Sequence, residues 1–303
     1  MSNISAKIIC DSIANGVRLT TFELEYPRFI HSEFMTHRML SKNSASSRAI
    51  PIKAMHKHLE EVPQYPSRWG KNQPGMQAKE DLTEYNQMAA KDIWDAARRQ
   101  AISHSVILDQ IGAHKQIANR VTEPYMQMKV VCSGTDYKNF FWLRDHEDAD
   151  PTIQDLAQKM VLEYEQSTPE PLRLGEWHLP YIERRIVGLN IEYALPGVEK
   201  AISLEDAKII SASCCAQVSY RKLDDDLAKA QMIYDKLINS QPVHASPVEH
   251  QATPIPEEDL LHWDPRSWPQ GVTHVDGAGQ LWSGNFRGWI QHRQLIKNHS
   301  VKG

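Results

Sequence analysis

Cysteine is scarce in this sequence, and what there is has no shared spacing. Cys10, Cys132, Cys214 and Cys215 form no C-x-x-C pair, which excludes a disulfide framework and a zinc ribbon. So few thiols suit a reducing cytoplasm. No apolar run approaches a membrane span. The opening Met1-Ser2-Asn3-Ile4-Ser5 lacks the basic and apolar regions of a signal peptide, as expected of a cytoplasmic protein. Positive charge is not in excess: the net charge is −4, so neither polymeric nucleic acid nor a membrane is an expected partner, although a local basic pocket stays open. No G-x-S-x-G elbow supports a hydrolase dyad of Ser46 and His37. The His56-x-His58 pair is too little for a metal site, and none is expected. No repeat of solenoid length is present.

What remains is the composition of an ordinary globular protein, with 41% hydrophobic and 24% charged residues over 303 positions, enough to bury a sizeable core. Residues 7–10 and 17–26 read as two strands joined at Asn15-Gly16, the second alternating apolar and polar positions. A helix is expected over 28–40, irregular chain over the proline-rich 50–75, and a long helix over 79–111 stopped by Gly112. A short helix over 114–121, a strand or buried helix start at 126–131 and a helix over 136–144 follow. Asp150-Pro151 pairs an N-cap with a first-turn proline and opens a helix to about 166. Residues 167–181 hold three prolines and read as a linker or wrapped loop, while 189–196 is ambiguous. Ser203-x-x-Asp206 resembles a capping box for a helix to about 217 that carries Cys214 and Cys215 as buried thiols. A helix over 224–239, a Pro- and Trp-rich loop over 253–283 and a last helix over 286–297 complete the chain. Composition and periodicity alone give a soluble protein of mixed helix and strand content.

The stretch from Phe34 to Arg48 concentrates chemistry: His37, Arg38, Ser41, Asn43, Ser46, Ser47 and Arg48. Serine and asparagine compete with a helix for backbone hydrogen bonds, so 42–47 is expected as a loop or helix end. Hydroxyls, backbone N–H groups and flanking guanidinium groups together make an anion cradle. The bland alternative is a solvated polar loop.

Thr36-His37-Arg38, Ser41, Asn43, Ser46 and Arg48 match, without a gap, the signature R-H-R-x-A-S-x-N-E-x-S-x-R-Y of the flavin-dependent thymidylate synthases (the ThyX family), which this stretch resembles. Thr36, Leu40, Ser44 and Ala49 depart from it. Ala118-Asn119-Arg120-Val121-Thr122-Glu123-Pro124 is similar to the family's A-R-x-V-L-P, and Asn139-Phe140-Phe141-Trp142-Leu143-Arg144 to the end of its N-A-R-S-L-x-N-F-L-x-L-R. Out of the family's order come Ala216-Gln217-Val218-Ser219-Tyr220, then His244-Ala245-Ser246-Pro247-Val248-Glu249-His250, then Arg287-Gly288-Trp289-Ile290-Gln291-His292-Arg293, which echoes R-Q-W-F-R-H-R a second time. The resemblance covers about 17–165 and about 210–296 and points to a permuted or partly duplicated member. The organisation expected is a first block over 1–170, a linker over 171–200 and a second block over 201–303.

The resemblance implies an α+β fold, a small mostly antiparallel sheet packed with long helices. It implies conversion of deoxyuridylate to thymidylate with FAD, NADPH and methylenetetrahydrofolate, in a homotetramer whose sites are shared between subunits. Residue by residue, it implies that Ser46, Ser47, Arg48 and Arg120 hold the nucleotide. Arg144 lies near the pyrimidine, with Ser46 the second candidate catalytic residue. His37, Arg38, Asn43, Asn139, His244, Ser246 and Glu249 would hold the flavin. His244, His250 and Glu249 also have plain structural readings as loop or capping residues. Glu33 stands where the family often has Gln. A carboxylate accepts hydrogen bonds and donates none, which suits a cytosine amino group, so deoxycytidylate or a hydroxymethylated product is an alternative. A nucleotide-binding protein without catalysis is the alternative of another class.

Overall fold

The computed structural model describes residues 3–218, 226–259 and 264–300. Strand β1 (Ser5–Ala14) and strand β2 (Val17–Pro27) pair antiparallel around the Asn15-Gly16 turn, where both residues take positive φ. The expected helix over 28–40 is shorter. A 3-10 turn, Arg28–Ile30, leads into α1 (His31–Met35). There the Thr36 hydroxyl donates to the Glu33 carbonyl and Lys42 Nζ donates to the carbonyls of Phe34 and His37, closing the helix early.

The next two expectations are corrected. Residues Ser41–Ser44 form strand β3, not a loop, because they ladder onto the distant strand β4 (Gln127–Gly134); tertiary pairing overrides weak local preference. Within the supposedly irregular 50–75 lies α2 (Ile52–Glu61), with Pro51 just before it and Pro63 just beyond, so no proline falls inside. Helix α3 (Glu84–Gln110) is the long helix, started late by the Thr83 cap. Its anticipated apolar side is largely solvent-facing, with Tyr85, Met88 and Ile93 all exposed. Helix α4 (Lys115–Ala118) runs into a 3-10 segment, Asn119–Tyr125.

Helix α5 (Lys138–Arg144) and helix α6 (Pro151–Gln166) follow β4, the latter capped by Asp150 Oδ1, which accepts from Thr152 N at 2.8 Å. Strand β5 (Glu170–Pro171) adds to β1 in parallel, giving the order β3-β4-β2-β1-β5. One face of this sheet presents Phe22, Leu24, Tyr26, Met128 and Val130 to Phe34, Phe140, Ile153, Leu156 and Met160 of α1, α5 and α6. That alternation is the period-2 signal of a strand buried on one side.

The opposite face is covered by the rest of the chain. Residues 171–200, expected as a linker, wrap the sheet with buried Trp177, His178, Leu179 and Tyr181 and then form a hairpin of β6 (Glu183–Val187) and β7 (Asn190–Ala194). Strand β8 (Ala201–Ile202) extends it. Helix α7 (Leu204–Ala216), capped by Ser203 as its sequence implies, lays Ile210, Cys214 and Cys215 against Val131 and Tyr181. Helix α8 (Leu227–Ile238) packs on α7.

The stretch 253–283, expected as loop, contains β9 (Ala252–Pro254), β10 (His274–Val275) and β11 (Leu281–Ser283). The last expected helix is replaced by β12 (Phe286–Arg287), β13 (Trp289–Gln291) and a 3-10 turn, His292–Leu295. Gly288, at φ +71°, breaks the helical run and lets its N–H reach the Leu281 carbonyl at 2.9 Å. The architecture is α+β, as expected. Among the described residues no helix is long and apolar enough to cross a membrane.

Candidate active site

Arg144, at the end of α5, sits where a helix C-terminus favours a cation. Its Nε donates to His37 Nε2 at 2.8 Å, and its Nη1 pairs with the Glu33 carboxylate of α1. His37 stands edge-on to Phe140, with ring centroids 4.8 Å apart. Burial, then the charges of Arg144 and Lys42, push the His37 imidazole down to about 4. The ring is therefore neutral at physiological pH and accepts from Arg144 through Nε2. A cleft of about 290 Å³ opens here, lined by His37, Arg38, Asp136, Asn139, Phe140 and Arg144. Its lining mixes apolar side chains with a few charged and amide groups, the usual make-up of a small-molecule site.

A second cleft, about 390 Å³, adjoins the first through Arg38 and Leu40 and is walled by Ser41, Lys42, Glu249, Asn285, Gln291 and Arg293. Glu249 pairs with Arg293. Thus Glu33, His37, Arg38, Asn139, Arg144 and Glu249 come together around two joined clefts.

Other residues singled out in the sequence lie elsewhere. The Ser47 hydroxyl, buried, donates to Glu123 Oε1 at 2.6 Å. Glu123 also holds Arg28 at 3.1 Å and Arg120 at 3.6 Å. Ser46 and Arg48 flank Ser47 and are exposed. This second group lines neither cleft. Asn43 Nδ2 donates to the Cys215 carbonyl at 3.2 Å and fixes β3 to α7. His244 and Ser246 are exposed and line neither cleft. Ser219 and Tyr220 of the Val218-Ser219-Tyr220 motif lie outside the described residues. Sequence reasoning missed Lys42, Asp136, Glu123 and Arg293. For Arg293 a signal existed, because it ends the heptapeptide that repeats the signature.

Behind the second cleft a row of small polar side chains crosses the sheet. Cys10, Thr21, Ser133 and Ser41 are successive cross-strand partners on β1, β2, β4 and β3. His178 Nε2 meets Thr21 Oγ1 at 2.8 Å, Thr21 meets Ser133 at 2.6 Å, and Ser133 meets His250 Nδ1 at 2.8 Å. Both histidines are fully buried, and burial pushes each down to about 3. The row seats the segment that carries Glu249.

Residues 17–170 match the family model described as Thy1, thymidylate synthase complementing protein. Among solved structures, the chain is similar to the UMP/dUMP methylase PolB from Streptomyces cacaoi bound with 5-Br UMP. That likeness has 16% identity and a TM-score of 0.47, over 55% of this chain and 90% of that one. The same enzyme bound with 5-Br dUMP gives 16% identity and a TM-score of 0.45, over 55% and 91%. No curated protein matches the chain.

Proposed function

This chain belongs to the thymidylate synthase complementing protein family, an enzyme family of flavin-dependent pyrimidine methylation, and from that premise we propose that it methylates deoxyuridylate to thymidylate, with FAD as cofactor, methylenetetrahydrofolate as one-carbon donor and NADPH as reductant. The observation that carries this reading is the Arg144–His37–Glu33 cluster at the joined clefts, inside the family-matched region.

The residues present fit a flavin. Phe140, Leu143 and Met39 line the cleft together with Arg38, Asn139 and Arg144, a mix of apolar and polar groups that suits a planar ring with polar edges. His37, Arg38, Asn139 and Glu249 would hold the group, while Asn43, His244 and Ser246 would act from farther off. When bound, the flavin supplies the hydride. The chain's own part is positional and electrostatic. Arg144, oriented by Glu33 and His37, places positive charge where the pyrimidine ring gains negative charge. Ser46, Ser47, Arg48 and Arg120 offer hydroxyls and guanidinium groups to the nucleotide monophosphate. These lie apart from the joined clefts, which fits a homotetramer whose site draws on two subunits. The exposed Tyr85, Met88, Ile93 and Ile107 of α3 support such an assembly, since soluble monomers rarely leave large apolar patches bare. The four free thiols fit a cytoplasmic setting.

A second reading has one observation in its favour. Glu33 places an acceptor-only carboxylate beside Arg144, which suits the amino group of deoxycytidylate or a hydroxymethylated product. Incubation of the purified protein with FAD, NADPH, methylenetetrahydrofolate and either deoxynucleotide, followed by mass analysis, decides between them. Methylated deoxyuridylate alone supports the first reading, and a changed cytosine or a hydroxymethyl product supports the second. A colourless protein that binds nucleotide yet cannot be reconstituted with FAD is a binding module, and both readings then fail.

A further inference from the structure

Arg293 reaches the second cleft from outside the family-matched region. Its heptapeptide, 287–293, and the segment 32–38 both end in His-Arg. The fold brings the terminal arginines, Arg38 and Arg293, to the walls of one cleft. Two copies of a cation-bearing motif facing one cavity gather positive charge there.

The cleft's charged walls are Arg38, Lys42 and Arg293 against the single carboxylate of Glu249. Lys42 Nζ is committed to the carbonyls of Phe34 and His37. Arg293 is about one-third exposed and is held by Glu249. Arg38 is exposed and has no ion-pair partner among the described residues.

The wall behind Arg293 is rigid. Gln291 Nε2, with its two N–H groups, donates to the Glu249 carbonyl at 2.9 Å and to Asn285 Oδ1 at 3.0 Å, with Ser41 Oγ also within reach at 3.2 Å. Asn285 Nδ2 donates to the Met39 carbonyl at 3.2 Å. At Gly284, with φ +59°, a Cβ would lie 2.5 Å from Gln291 Oε1, so the turn seats closely on this amide. Two guanidinium groups lining a cleft with one carboxylate match a phosphoryl group, which takes paired N–H donors from arginine.

We propose that Arg293 and Arg38 form a phosphate-binding subsite, and that Glu249 holds the Arg293 guanidinium until a phosphoryl group of the ligand replaces it. The proposal rests on the reading of these clefts as a cofactor and nucleotide site. Two ligands carry that group, the diphosphate of FAD and the monophosphate of the nucleotide.

The test titrates wild type, Arg293→Gln and Arg293→Lys with FAD, riboflavin, deoxyuridylate, deoxyuridine and inorganic pyrophosphate, following flavin fluorescence or heat, after each variant's melting curve is matched to wild type. Loss of one charge-assisted contact weakens FAD or deoxyuridylate on the order of tenfold or more in Arg293→Gln, and leaves riboflavin or deoxyuridine unchanged. Arg293→Lys falls between. Selective loss for FAD assigns the diphosphate, and selective loss for deoxyuridylate assigns the monophosphate. Equal weakening with and without the phosphoryl group, or no change in either pair, overturns the proposal. If no flavin binds but pyrophosphate binds to wild type and not to Arg293→Gln, the subsite stands and the flavin reading falls.

Discussion

The two histidines against the polar row make stability depend on acidity. His178 and His250 are buried to the last atom, and burial pushes each from the ordinary 6.5 to about 3. A histidine held neutral in the fold takes its proton first in the unfolded chain. The unfolded state therefore gains as pH falls below about 6.5, and the loss continues until the folded pKa near 3 is passed. Stability from these residues is complete above pH 6.5 and drains away below it. At pH 5.0 the unfolded-state uptake costs the fold about 2 kcal/mol for each histidine. Replacing His250 by Asn keeps a polar atom near the Nδ1 position that meets Ser133, and removes the titration. Urea unfolding at pH 7.5 and pH 5.0 reads the difference: wild type should lose about 2 kcal/mol more than His250→Asn over that interval. The variant is less stable at pH 7.5 for its lost packing, so the difference between pH values is the informative quantity. Equal losses in both proteins would refute burial of a neutral imidazole as the cause.

Three further outcomes follow from named contacts. Arg144→Ala should lower kcat/KM for nucleotide by about a hundredfold or more and cost about 1–3 kcal/mol of stability, since Glu33 and His37 lose their part-buried partner; steady-state kinetics and chemical unfolding check the two effects. Leu156→Ala removes a fully buried side chain of α6 from the helical side of the sheet and should cost about 2–5 kcal/mol in chemical unfolding. Asp150→Ala deletes the α6 cap and should cost about 1 kcal/mol, read the same way.

Where sequence and structure agree, the signal was local. The alternation over 17–26, the Asn15-Gly16 turn, the Asp150-Pro151 start and the Ser203 box each depend on neighbours a few residues away. Where they part, the deciding partner is distant. Ser41–Ser44 is poor strand material, and its ladder comes from β4. The segment 286–297 has helix-like spacing, yet the pairing of Trp289, Ile290 and Gln291 with β9 makes it a strand. Prolines in 50–75 flank a helix rather than interrupt it, a distinction that composition cannot make. Apolar spacing along α3 identified the helix but not what would cover it.

The candidate site shows the same division. Arg38, His37, Asn139 and Arg144 were visible as motif residues, but motif spacing says nothing about which of them meet. The structure joins these to Glu33 and Glu249 and leaves Ser47 bound to Glu123 elsewhere. The polar row explains how a C-terminal residue such as Glu249 comes to stand beside an N-terminal one. In the sheet of β1 to β4, the face opposite the helices bears Thr21 and Ser133 where an apolar core would bear Val or Leu. An apolar surface there would bind any greasy covering segment in many registers. Hydroxyls buried on that face need partners at fixed positions, and His178 and His250 supply them. The covering segment is thereby held in one register, at His178 and at His250. Glu249, one residue before His250, is fixed with it, and through Glu249 so is Arg293. A slip at this row would leave buried hydroxyls unpaired and carry Glu249 and Arg293 out of the cleft together, so the residues that make the fold acid-sensitive also hold the site's second wall in place.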